Sequence, residues 1–237
     1  LAFHVKLNWC ASCGGGRNFG DQLGPILLRH YGITVEWAKP ADAEIITVGS
    51  ILSTIPGGWR GIVLGTGFIK RGMTKDLSRA KVLAVRGVLT RKAANLPPTV
   101  PLGDLGILVS DLPRAVSIVA SQASAVVVPH YVDHDLAARH PDAREVPITT
   151  DPPLLLGKIA SASVVFTSSL HAFIAADALG VPAVLEPHER VHGGLFKFQD
   201  YASAMGGRIR PGVPYSTNRL EMADRQAELR RLVESLR

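Results

Sequence analysis

Apolar positions along this chain fall into short β-branched runs, each closed by small or polar residues and followed by a stretch with helical spacing. Phe3–Asn8 predicts a first strand, then a glycine-rich loop and a helix over Leu23–Tyr31. Glu44–Val48, Gly61–Leu64 and Lys81–Val85 predict further strands ending at Gly49-Ser50, Gly65-Thr66-Gly67 and Arg86-Gly87, with a helix over Val88–Asn95. A link is expected around Asp111-Leu112-Pro113, after which the pattern resumes. Ala125–Val128, Val146–Thr149 and Ala183–Leu185 predict strands, and Val164–Pro182 a strand, loop and helix. Pro153–Ser161, Phe196–Met205 and the charged amphipathic Leu220–Leu236 predict helices. Strands alternating with helices predict βαβ units and mainly parallel sheets. The expected fold is therefore α/β: two Rossmann-like domains, 1–112 and 113–237, in a GT-B-like arrangement closed by the terminal helix, with a site in the crevice between them.

In parallel sheets the loops at the carboxyl ends of the strands face the ligand, and a helix that starts there offers unpaired N–H groups to an anion. Ser168-Ser169-Leu170-His171 lies at such a junction, which makes His171 the first candidate for chemistry.

Composition narrows the function classes. The 237 residues, 46% of them hydrophobic, suffice for one large domain or two smaller ones. Apolar runs stop short of the roughly 18 residues a membrane span needs, and no basic-then-apolar leader opens the chain, so a soluble cytoplasmic protein is expected. The net charge of +6 suits an anionic small substrate or an acceptor at a membrane surface; the clustered basic and aromatic residues of a nucleic-acid binder are missing. Cys10 and Cys13 form the single CxxC, which lacks further metal ligands and runs into Gly14-Gly15-Gly16, so reduced loop cysteines are expected.

The remaining motifs each have a functional and a structural reading. Gly14, Gly16 and Gly20 miss the dinucleotide-binding spacing by one residue, and Glu36 alone does not supply a ribose-binding acid. Asp21 is either a turn or N-cap residue before the helix holding Pro25, or a carboxylate that orients or deprotonates an acceptor hydroxyl. His188-Glu189-Arg190-Val191-His192 has the H-E-x-x-H spacing of zinc peptidases, but Pro187 and Gly193-Gly194 deny it a sustained helix, so a loop bordering the crevice is expected. His130, Asp133 and His134 form a polar cluster of metal-binding residue types, but His134-Asp135 reads as the start of a surface helix, which leaves His130 alone either facing a ligand or not. Arg86 either holds a carboxylate or phosphate or closes an internal salt bridge.

Taken in order, these fragments resemble the polysaccharide pyruvyl transferase family, in particular its short bacterial members that decorate exopolysaccharides. Asn18-Phe19-Gly20-Asp21-Gln22-Leu23-Gly24-Pro25 is similar to the family's NFGD-x-L-x-P segment, Gly49-Ser50-Ile51-Leu52 to its GSIL, and Val85-Arg86-Gly87-Val88-Leu89-Thr90 to its VRG-x-x-[ST]. Leu102-Gly103-Asp104, Pro129-His130, Ser169-Leu170-His171 and Lys197-Phe198-Gln199-Asp200-Tyr201 resemble its LGD, PH, [RS]-x-H and K-x-x-D-aromatic elements. The family usually has proline after LGD, where this chain has Leu105-Gly106, and Ser169 stands where many members carry arginine.

The resemblance implies transfer of a pyruvyl unit from phosphoenolpyruvate to two hydroxyls of a sugar in a polysaccharide or its lipid-linked precursor, giving a cyclic ketal. It needs neither cofactor nor metal. The expected roles are His171 as general acid, Asp21 or His130 assisting the acceptor, and Arg86, Lys197, Ser169, Asn18, Gly49 and Ser50 binding substrate. The expected partners are phosphoenolpyruvate and a glycan or lipid-linked oligosaccharide, with peripheral contact at the inner membrane surface and no nucleic acid. A nucleotide-sugar glycosyltransferase of the same fold, or an inactive glycan-binding relative, are the alternatives.

Overall fold

The computed structural model describes residues 3–11, 18–113 and 124–237. Its first half contains β1 (Phe3–Asn8), α1 (Phe19–His30), β2 (Ile33–Trp37), β3 (Ile45–Ile46), β4 (Ile62–Leu64), β5 (Lys81–Ala84) and α2 (Val88–Ala93). A 3-10 segment, Leu105–Asp111, leads out of this half. The second half contains β6 (Val126–Val128), β7 (Arg144–Glu145), α3 (Pro152–Ala160), β8 (Val165–Thr167) and α4 (Leu170–Ala178). It ends with β9 (Ala183–Leu185), α5 (Phe196–Ala204), β10 (Pro214–Tyr215) and α6 (Arg219–Glu234).

The strands form two sheets, ordered β2-β1-β3-β4-β5 and β10-β9-β8-β6-β7. Pairing is parallel throughout except for β10, which runs antiparallel to β9 with Pro214 opposite Val184. Within each sheet the chain lays its second strand on one side of the first and its later strands on the other. The order therefore reverses between β1 and β3, and again between β6 and β8. Such reversals open a crevice at the carboxyl ends of the strands, because the flanking connections leave in opposite directions.

Three pieces of helix join the sheets. α1 packs on β2 and on the 105–111 segment, and α4 packs on β8, β9, α1 and that same segment. One apolar cluster consequently runs from Leu7, Leu23 and Leu27 through Ile107 and Leu108 to Phe173, Leu185 and Leu229. α6 is fastened from outside: Gln226 donates to the Ile107 carbonyl at 3.0 Å, and Arg230 grips Asp111 with two bonds of 2.7 Å.

Several boundaries differ from expectation for physical reasons. α1 begins at Phe19 rather than Leu23, because Asn18 Oδ1 caps it by accepting from Gly20 N. Pro25 is tolerated inside the helix, where it removes only the N–H that would have closed onto the Asp21 carbonyl. β2 is an additional strand; its Ile33 and Val35 are buried while Thr34, Glu36 and Trp37 are exposed, and Glu36 lies on the outer face 3.9 Å from His4. The strand expected over Val146–Thr149 is displaced to Arg144–Glu145, since the Ile148 carbonyl instead accepts from Phe19 N at the start of α1. No helix starts at His134-Asp135; the turn there ends in a 3-10 segment over Ala137–Arg139.

Candidate active site

Both strand-order reversals open onto one cavity of about 450 Å³. Asn8, Trp9 and Cys10 line it from the end of β1, and Gly49, Ser50 and Ile51 from beyond β3. His130, Tyr131 and Val132 come from beyond β6, and Ser169, Leu170 and His171 from beyond β8. Asn18 and Asp21 at the start of α1, Lys197 at the start of α5, and Arg190 and His192 complete the wall. Of the nine residues expected to form the site, all but Arg86 lie on this cavity.

His171 occupies the first turn of α4, which no side chain caps. The ring stands in a notch between the halves: a Cβ on Gly20 would lie 2.1 Å from its Nδ1, and one on Gly49 3.8 Å from its Cε1. Gly49 also needs its freedom of backbone, with φ of +101°. His171 Nε2 is buried without a hydrogen-bond partner. Burial pushes the pKa of His171 down to about 3, and the charges of Lys197, Arg86 and His130 push the same way. The ring is therefore neutral near pH 7.

Asp21 has the opposite bias. Burial raises its carboxyl to about 7, against a smaller opposing effect of Asn18, and its Oδ2 also lacks a partner. The capping role weighed for Asp21 falls to Asn18 instead. His130 is held by its backbone N–H, which donates to Ser168 Oγ at 3.0 Å, and its Nδ1 accepts from Val132 N at 3.4 Å. That bond assigns the ring proton to Nε2. Burial and then the Lys197 charge lower the pKa of His130 to about 4. Lys197 itself is only 6% exposed; it donates to the His192 carbonyl at 3.0 Å, and burial followed by the Arg86 charge lowers it to about 8.

Of the two readings of Arg86, the structure shows the internal ion pair. It is fully buried, with Nε donating to Asp200 Oδ2 at 3.0 Å, one terminal nitrogen to Ser50 Oγ at 2.6 Å and the other to the Phe68 carbonyl. Because Ser50 Oγ accepts from the guanidinium, its own O–H is left to donate elsewhere. Asp200 also accepts from Thr90 N at 2.8 Å and Thr90 Oγ1 at 2.6 Å. Gly87 allows this contact, since a Cβ there would lie 1.8 Å from the Asp200 carbonyl oxygen. The VRG-x-x-T and K-x-x-D elements therefore clasp one another and fix α5, with Lys197 one turn from the clasp. Neither fragment shows this pairing by itself, since its partners are 114 residues apart.

Asp104 caps the 105–111 segment, accepting from Gly106 N at 2.8 Å. Burial raises it to about 6 despite the opposing charge of Arg86. The H-E-x-x-H stretch forms turns, not a helix. His188 points to Asp133 at 3.7 Å whereas His192 faces the cavity, so the two do not share a helix face. No group of three or more His, Cys, Asp or Glu side chains arranged to hold a metal occurs among the described residues. Cys10 is disulfide-bonded, not reduced as expected. Cys13 and the glycines at 14–16 lie outside the described residues, and no described helix is long and apolar enough to cross a membrane.

The chain is 29% identical over 220 residues to the succinoglycan biosynthesis protein ExoV of Rhizobium meliloti (strain 1021), covering 84% of this chain and 66% of that protein. It thus spans slightly less than two thirds of the relative's length. No solved structure matches the chain. The family model for polysaccharide pyruvyl transferase matches residues 4–188, which include both strand-order reversals and His171; the chain belongs to the polysaccharide pyruvyl transferase family.

Proposed function

We propose that this chain transfers a pyruvyl unit from phosphoenolpyruvate to two hydroxyls of one sugar in an exopolysaccharide or its lipid-linked precursor, forming a cyclic ketal. The two halves, 1–112 and 113–237, are read as Rossmann-like domains in a GT-B-like arrangement, acting at the inner membrane surface where a lipid-linked acceptor would be presented. The observation that carries the reading is the pairing of His171 and Asp21 in one cavity, each with a buried atom that has no hydrogen-bond partner. Unsatisfied buried polar atoms are costly and are expected where a ligand supplies the missing bond.

The donor brings a carboxylate and a phosphate. Lys197, the Nε2–H of His130, the O–H of Ser50 and the open N–H groups at the start of α4 are suited to receive them, with Ser169 and Asn18 beside them. The buried Arg86 contributes its charge through Ser50. Burial is the main cause that keeps His171 neutral and the neighbouring cations add to it; a bound polyanion opposes both by favouring the charged ring, which takes up a proton as the donor arrives. His171 then protonates the methylene carbon, and the first sugar hydroxyl attacks the adjacent carbon while Asp21, in its ionised form, accepts its proton. Asp21 returns that proton to the departing phosphate. The second hydroxyl closes the ketal and passes its proton to His171. One phosphoenolpyruvate and one diol thus yield one ketal and one phosphate.

The test is phosphate release from phosphoenolpyruvate in the presence of lipid-linked and model galactosides, glucosides and mannosides, with His171→Ala alongside. Release by the wild type, and a loss of at least a hundredfold in a still folded variant, are expected. Thermal stabilisation by uridine or guanosine diphosphate but not by phosphoenolpyruvate would favour a glycosyltransferase instead. Sugar binding without turnover in either protein would favour an inactive relative.

A further inference from the structure

Aromatic residues are scarce in this chain, at 6% of positions. Among the described residues only two aromatic side chains are exposed, Trp37 at 45% and Tyr131 at 37%. Their positions are related. Tyr131 lines the cavity just beyond β6, with its ring centroid 4.4 Å from that of His130. Trp9 lines the same cavity from the end of β1 and is half-buried. Trp37, at the end of the neighbouring strand β2, donates from its indole nitrogen to the Trp9 carbonyl at 3.1 Å. Two aromatic residues, one beyond the first strand of each sheet, thus line one cavity with polar and titratable groups, and Trp37 is tied to the backbone of one of them.

We infer that Tyr131 and Trp9 form the platform on which the pyranose ring of the acceptor stacks, with the Trp37 indole holding the Trp9 backbone. This rests on the pyruvyl-transfer reading of the site. A pyranose is amphipathic, with hydroxyls around its rim and C–H groups on its faces. Rigid tyrosine and tryptophan rings cover such a face at little cost in side-chain entropy, and their polar edges remain solvated. Asp21 on the same cavity meets the rim hydroxyls that react. A scattered exposed aromatic needs no explanation, but two aromatic residues lining one polar cavity do. The ring system requires no charge on the acceptor and accommodates either sugar epimer that keeps one apolar face.

The inference predicts that Tyr131→Ala loses sugar binding and Tyr131→Phe does not, because stacking needs the ring and not its hydroxyl. Saturation-transfer NMR with the methyl glycosides of galactose, glucose and mannose reads this directly and does not depend on turnover. At least one glycoside should give a signal with wild type and Tyr131→Phe, reduced at least fivefold by Tyr131→Ala. In the phosphate-release assay the acceptor KM of Tyr131→Ala should rise at least tenfold while its affinity for phosphoenolpyruvate stays within twofold. Signals through Tyr131 in a protein that never releases phosphate would sink the transfer reading and leave the platform standing. Equal signals from wild type and Tyr131→Ala, or none from wild type with any glycoside, would overturn the platform. So would an unchanged acceptor KM combined with loss of binding to phosphatidylglycerol vesicles, which would reassign the rings to a lipid surface.

Discussion

His171 and Asp21 respond to acid in opposite directions, and the sign follows from what each does on unfolding. Asp21 is raised to about 7 in the fold against an ordinary 3.8, so between those values the folded chain holds the extra proton and acidification stabilises it. His171 is lowered to about 3 against an ordinary 6.5, so the unfolded chain holds the extra proton and acidification destabilises the fold. Each slope is bounded at about 1.4 kcal/mol per pH unit, and across their shared window they cancel. Asp21→Asn should therefore lose stability between pH 6.5 and 4.5 relative to wild type, whereas His171→Gln should gain it. Urea denaturation at the two pH values measures both, and parallel profiles for the two variants would refute the assignment. The candidate residues themselves were legible in the chain, because hydroxyls and histidines after a β-branched run announce a strand end. Their protonation states were not, since those depend on burial and on charges contributed by distant segments. Arg86 shows the same limit: its place after β5 was read correctly, but its partner is 114 residues away.

At the scale of elements, α5 carries Lys197 to the cavity only because Asp200 is tied to Arg86 and Thr90. Asp200→Asn leaves a buried guanidinium without its counter-charge, and breaking such a pair costs about 3 kcal/mol. The same change should weaken phosphoenolpyruvate binding at least tenfold by loosening the helix under Lys197. Urea denaturation and titration calorimetry measure the two effects, and a variant as stable as wild type would contradict the clasp. Strands and helices with regular spacing, such as β1, α3 and α4, were readable from pattern alone. β2 and the displaced β7 were not: one is a single alternation of five residues after a helix, and the other is set by the bond from Phe19 N to the Ile148 carbonyl.

At the scale of the molecule, the two sheets share a core through α1, the 105–111 segment and α4. Two sheets could be counted from the chain, but their common core could not, because it depends on contacts between segments more than 100 residues apart. A shared core predicts one cooperative unfolding step. All three tryptophans, Trp9, Trp37 and Trp59, belong to the first half, so their fluorescence reports that half alone. Their denaturation curve should coincide with the far-UV dichroism of the whole chain; a separated pair of transitions would mean that the halves unfold independently. The notch between those halves also bears on how relatives are judged. A histidine can persist in a descendant that has stopped working, but any side chain replacing Gly20 occupies the space of the imidazole. The glycine, which performs no chemistry, is for that reason the stricter marker of a functioning lineage than the histidine it accommodates.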